Sequence, residues 1–103
     1  MFEPTESKYG RRVWTPADPV VFTADRKPLT HGMRVFTNNL DRGTVDLGVD
    51  GGREATYEWH AGERRWVLWF DVVCEVNYKG EPSSERVMQS DDRVATRFEG
   101  RDA

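Results

Sequence analysis

Every second residue of one stretch is apolar. Trp66, Leu68, Phe70, Val72, Cys74, Val76 and Tyr78 form one row. Arg65, Val67, Trp69, Asp71, Val73, Glu75 and Asn77 form a mixed row between them. A two-residue period marks a strand with one face buried and the other partly wet. A helix would repeat its apolar residues every three to four positions, a spacing that Asp71 and Glu75 interrupt. β-branched and aromatic residues dominate, as suits a pleated, half-buried surface. Residues 64–78 therefore predict a central strand. It is long for a flat strand, so it is expected to bend or bulge, the curvature that a small closed barrel requires.

The flanking stretches predict further strands. Met33, Val35 and Thr37 alternate with Arg34 and Phe36, and Asn38, Asn39, Asp41 and Gly43 supply turn chemistry. Residues 43–49 return as a strand, with a bulge expected near Gly48. Asp50-Gly51-Gly52 signals a turn. Residues 53–60 then predict a strand with Ala55, Tyr57 and Trp59 in one row and Glu54, Thr56 and Glu58 in the other. A loop is expected over 79–84 and a short strand over 86–90. A single helical turn at Asp91-Asp92-Arg93 would have Ser90 as its N-cap, before a last strand over 94–98 and a polar tail.

Four of the five prolines (Pro4, Pro16, Pro19 and Pro28) fall in residues 1–29. Proline removes a backbone donor and holds its predecessor extended. This region is expected to be an extended arm wrapped over the domain, with Trp14 docked and Val20, Val21 and Phe22 as an edge strand. The alternative is a terminus that orders on a partner. The expected organisation is thus an arm over 1–29 and a barrel over 30–103.

Composition narrows the classes. A chain of 103 residues is one domain on length alone. Its net charge of −3 argues against a generic nucleic-acid binder. One cysteine excludes an internal disulfide. No apolar run is long enough for a membrane span, and the first residues lack a signal-peptide pattern, so a cytoplasmic location is the expectation. Twelve arginines against three lysines, and twelve valines with no isoleucine, are the bias of a GC-rich genome such as that of an actinobacterium or its phage.

Gly32-x-x-Val35, Gly43-Thr44-Val45, Trp69-Phe70-Asp71-Val72 and a one-turn helix before residues 94–98 together resemble an SH3-like barrel of the KOW or Tudor type. The resemblance covers residues 30–98. It implies an antiparallel all-β barrel of five to six strands that binds proteins or nucleic acids and has no catalytic apparatus. Residues 53–66 are longer and more aromatic than that pattern, and the proline-rich arm is additional to it.

The candidate surface is the aromatic cluster Tyr57, Trp59, Trp66 and Trp69 with Arg64 and Arg65 beside it. Aromatic faces stack on bases or hold cations, and guanidinium forks grip carboxylates and phosphates. Packing in the core is the competing role for the aromatics, and blunting of a strand end for the arginines. Trp69 is the best candidate for exposure, because its row also carries Arg65, Asp71 and Glu75. Arg11 and Arg12 are a second, weaker basic pair. Cys74 reads as a small buried hydrophobe rather than a nucleophile. One cysteine and two histidines make no tetrahedral metal site. With no phosphate loop and no hydrolase or metalloprotease motif, neither enzymatic activity nor a cofactor is expected. The leading expectation is a protein-interaction module. The alternatives are a nucleic-acid binder using the same face and a self-assembling structural protein.

Overall fold

The computed structural model describes residues 11–103; residues 1–10, with Pro4 and the start of the expected arm, lie outside the described residues. Among the described residues the fold is almost entirely β. The strands are β1 (Arg11–Val13), β2 (Arg34–Phe36), β3 (Arg42–Asp46), β4 (Thr56–His60), β5 (Arg65–Val76), β6 (Arg86–Ser90), β7 (Arg97–Phe98) and β8 (Arg101–Asp102). A 3₁₀ turn spans Asp91–Arg93. β1 to β6 form one antiparallel sheet in the order β1-β4-β5-β3-β2, with β6 also on β5, and β7 and β8 form a two-stranded ribbon.

β5 is the axis, as its alternation predicts. Leu68, Phe70 and Val72 from its apolar row join Val35, Val45, Leu47, Ala55, Tyr57 and Val94 in the core. Trp69 pairs with Thr56 of β4 and with Ser90 of β6, so those two strands lie on opposite edges of β5. Asp71 pairs with Asp46 of β3 and Met88 of β6, which places β3 on the same edge as β4. Both run antiparallel to β5, hence parallel to each other and end to end. β3 and β4 are therefore one long strand interrupted by an excursion over residues 47–55, closed by a bond from the Ala55 N–H to the Leu47 carbonyl. The turn at Asp50-Gly51-Gly52 lies within this excursion. It does not join a hairpin of paired strands, because both flanking strands find their partner in β5. Gly48 sits at φ +85° where any Cβ would meet the backbone of Arg53 and Glu54, so the loop can cross itself only at a glycine.

The bulge is at a different place from that expected. Register shifts between Arg42 and Gly43, which leaves Glu75 as the extra residue on β5. A Cβ at Gly43 would lie 2.3 Å from the Val73 carbonyl oxygen. After the 3₁₀ turn, Ala95 and Phe36 exchange two backbone bonds, bringing the chain back against β2 through a single bridge rather than a full ladder. The expected strand over 94–98 is thus divided. Only Arg97 and Phe98 are strand, and they turn back at Glu99 and Gly100, both at positive φ, to meet β8 in the expected tail. Ser90 also departs from its expected role. Its hydroxyl donates to Asp92 instead of accepting a backbone N–H at the start of the turn.

Residues 11–29 are tied to the sheet through β1 and to residues 94–96, beyond the 3₁₀ turn, through Ala24 and Asp25. β1 pairs with β4, and the Trp14 N–H donates to the Ala55 carbonyl. Farther on, Ala24 N–H bonds the Val94 carbonyl, while Asp25 accepts from the Thr96 N–H and hydroxyl. Trp14 and Val21 pack on the core. Val20 and Phe22 are exposed, and the expected edge strand reduces to one bridge between Phe22 and Pro28.

Candidate interaction surface

Sheet parity divides the sequence-nominated cluster. Successive side chains on a strand point to opposite faces. Tyr57, Trp59 and Trp66 share the core-facing parity with Leu68, while Trp69 points the other way. Tyr57 is buried in the core with the Arg12 guanidinium 5.1 Å from its ring centre. Burial, with nearby Asp18 adding to it, pushes its phenol up to about 12. Trp59 and Trp66 are cross-strand partners at the far end of that face, packed edge to face at 5.5 Å. Trp66 leans on the core and Trp59 is the more exposed of the two. The six nominated residues therefore do not make one platform.

The arginine pair is divided as well. Arg64 is exposed in the β4–β5 turn at φ 55°. Arg65 is ringed by acids: Glu63 at 3.0 Å, Asp92 at 2.7 Å and Asp91 at 3.7 Å. Its charge is spent inside the molecule. Asp91 is buried with Oδ1 unbonded, and burial raises its carboxyl even though Arg65 pulls the other way.

The outer face of the sheet gathers residues that one-dimensional spacing does not connect. Val13, Thr56, Trp69 and Ser90 lie in register across four strands. Met88 stands two residues before Ser90 on the same face. Together Val13, Thr56, Trp69 and Met88 line a hollow of about 600 Å³ whose rim carries Arg11, Arg53 and Glu54. Val13 is 42% and Met88 48% exposed. Arg93 reaches back from the 3₁₀ turn to place its guanidinium 5.8 Å from the centre of the Trp69 ring. Arg11 pairs with Glu58 at 3.3 Å on the rim.

One residue pair along, β3 and β5 set Asp46 directly opposite Asp71. Two carboxylates side by side repel each other unless cations intervene. Arg86 Nη1 lies 2.8 Å from Asp46 and 3.3 Å from Asp71, and Arg53 Nε approaches Asp71 at 3.7 Å. The Arg86 bond, helped by the Gly48 N–H, holds the Asp46 carboxyl below its ordinary value against the opposing effect of burial. Gly52 leaves room for this carboxylate, since a Cβ there would sit 2.2 Å from Asp46 Oδ2. His31 closes the group. Its Nδ1 accepts the Leu47 N–H, which leaves the proton on Nε2 to donate to Asp50 at 3.0 Å.

Val13, Met88, Arg86 and Arg93 escaped the sequence reading. The available signal was parity: once Trp69 is placed on the outer row, the same-parity residues of neighbouring strands follow, but only if the register is known. Cys74 is buried and burial raises its thiol, which disfavours the reactive thiolate. Among the described residues no three His, Cys, Asp or Glu side chains are grouped to hold a metal ion, and no helix is long and apolar enough to cross a membrane. Comparison with known proteins finds no matching family model, curated protein or solved structure.

Proposed function

We propose that this chain is a cytoplasmic, non-enzymatic protein-interaction module of SH3-like type, and that it binds through the outer face around Trp69. The observation that carries this reading is the strip of Val13, Trp69 and Met88. A half-buried tryptophan shares a hollow with two apolar side chains that are each nearly half exposed, on the face turned away from the core. Aromatic anchors in hollows with polar rims are where binding energy concentrates in interfaces. The SH3-like part of the reading is supported by the chain order: the β2–β3 hairpin, the long β5, then β6, the 3₁₀ turn and the bridge from Ala95 to Phe36.

A nucleic-acid reading has less support. Arg65, the central arginine of the nominated pair, is neutralised by three acids. The test is affinity capture with the tagged full chain, with and without nuclease, against Met88→Glu and Val13→Glu. Both substitutions sit on exposed side chains and leave the core intact. A partner that survives nuclease and is lost with either variant supports the reading. A partner retained by both variants removes this face from it. Recovery that depends on intact nucleic acid removes the protein-interaction reading itself.

A further inference from the structure

The charges on the outer face are arranged by depth. The carboxylates lie beneath: the Asp71 side chain is 4% exposed and that of Asp46 12%. The guanidiniums lie on top: Arg86 is 50% and Arg53 62% exposed. A partner approaching the Asp46–Asp71 end of this face meets Arg53 and Arg86 first, with the two carboxylates beneath them. Arg86 makes its bonds to both carboxylates through Nη1. A guanidinium carries five N–H donors in a rigid fork that matches a carboxylate, so these two bonds leave further donors on a side chain that is half exposed. Arg53 and Arg86 converge on the same Asp71 oxygen.

The spacing selects an occupant. Asp71 stands two residues after Trp69 on one face of β5, a distance of about 6.5–7 Å along a strand. An extended partner has the same two-residue period. Arg93 over the Trp69 ring adds a further cation beside the apolar strip. Resting on the reading of the Trp69 face given above, we propose that its occupant is an extended acidic segment of a protein. An apolar side chain of that segment lies against Trp69, and a carboxylate two residues along is gripped by Arg53 and Arg86. A polyanion fits less well. Glu54 and Glu58 border the same strip, and the chain as a whole carries −3. A continuous run of phosphates would meet these charges, whereas a peptide places one or two carboxylates where the guanidiniums are.

The test uses the full chain and defined probes, followed by amide NMR shifts and titration calorimetry. The ligand is a capped peptide repeating Ser-Leu-Ser-Asp, with the same peptide carrying Asn or Lys in place of Asp, and a thymidine oligonucleotide, as comparisons. The aspartate peptide is expected to shift amides of β1, β4, β5 and β6 around Trp69 and to saturate. The asparagine peptide should bind about tenfold more weakly, the loss expected for a charge-assisted bidentate contact, and the lysine peptide more weakly still. Arg53→Glu, on an exposed side chain, should weaken the aspartate peptide to the same degree, with changes in the spectrum of the free protein confined to amides near Asp71. Equal binding of the aspartate and asparagine peptides, indifference to Arg53→Glu, or no binding by any peptide would overturn the proposal. So would tighter binding of the oligonucleotide at the same amides. If the peptides fail while a captured partner is lost on Met88→Glu, the face remains an interaction surface and only its acidic occupant is removed.

Discussion

The two faces of β5 are built from neighbouring residues and do opposite things. Leu68, Phe70 and Val72 point inward and are closed on all sides by Val35, Val45, Tyr57 and Val94. Trp69, Asp71 and Val73 point outward, where an apolar strip ends in a layered set of charges. The inner face is held by non-directional burial, which tolerates any arrangement that fills the space. The outer face is held by directional contacts, in which two carboxylates fix where two guanidiniums sit. A core position is therefore expected to reveal itself through stability, and an outer position through binding.

The largest expected effect is on the inner face. Leu68→Ala should cost about 3 kcal/mol of unfolding free energy, within the ordinary range for a buried leucine, as read by urea denaturation. Trp69→Ala should cost less than half as much while abolishing capture of the partner. Equal losses would mean that Trp69 is core, and the distinction between the faces would fail.

Next come two glycines that touch opposite kinds of neighbour. Gly43→Ala drives a Cβ into the backbone of Val73 and Cys74, which cannot yield, and is expected to cost about 2 kcal/mol as an overpacking substitution. Gly52→Ala meets only the Asp46 carboxylate, a side chain that can move. It should cost less stability but weaken binding of the acidic peptide, because Arg86 loses its seat. A Gly52→Ala protein that binds normally would show that the position of Asp46 does not matter to the outer face.

A smaller effect separates three acids by pH. Burial pushes Asp25 up, but bonds from the Thr23 and Thr96 hydroxyls and the Thr96 N–H outweigh it and leave its carboxyl below 3.8. Asp46 is likewise lowered, chiefly by Arg86. The stability these two contribute is complete above 3.8 and is lost as the pH falls through their lower folded values. Asp91 is raised by burial, so its cost is full above that raised value and disappears as the pH falls through it toward 3.8. Melting curves across this interval should show a small gain on acidification before the loss begins. Asp91→Asn should remove the gain and leave the loss. An unchanged profile in that variant would show that the Asp91 charge carries no cost. The smallest effects belong to Val13→Glu and Met88→Glu, which should change stability by no more than about 0.5 kcal/mol while removing the partner.

How much of this was legible follows from the period of a strand. Alternation alone located β5, its buried row and the aromatic Trp69 on the other row. It could not say that Asp71, in the row expected to be wet, is buried, because that depends on Arg53 arriving from the excursion over residues 47–55 and on Arg86 arriving from β6. Tyr57, Trp59, Trp66 and Trp69 are close in the chain, but proximity in the chain is not proximity on a surface. Tyr57 and Trp69 illustrate the difference. They approach one another across β4 and β5, yet Tyr57 pairs with Leu68, and a shift of one residue sends Trp69 to the opposite face. The turn signal at Asp50-Gly51-Gly52 is real, but the strands expected over 43–49 and 53–60 stop at Asp46 and start at Thr56, since glycine and aspartate mark a reversal without stating what the flanking strands will pair with.

The sequence by itself determined the class of fold, the axis of the sheet and which row of β5 is buried, because these depend on local period and on burial of apolar area. Tertiary structure decided that β3 and β4 share one edge of β5, that Arg65 is neutralised by Glu63, Asp91 and Asp92, and that Val13, Trp69 and Met88 line one hollow. Each of those depends on register between segments far apart in the chain, and hydrogen-bonding between strands fixes register only once the strands have met.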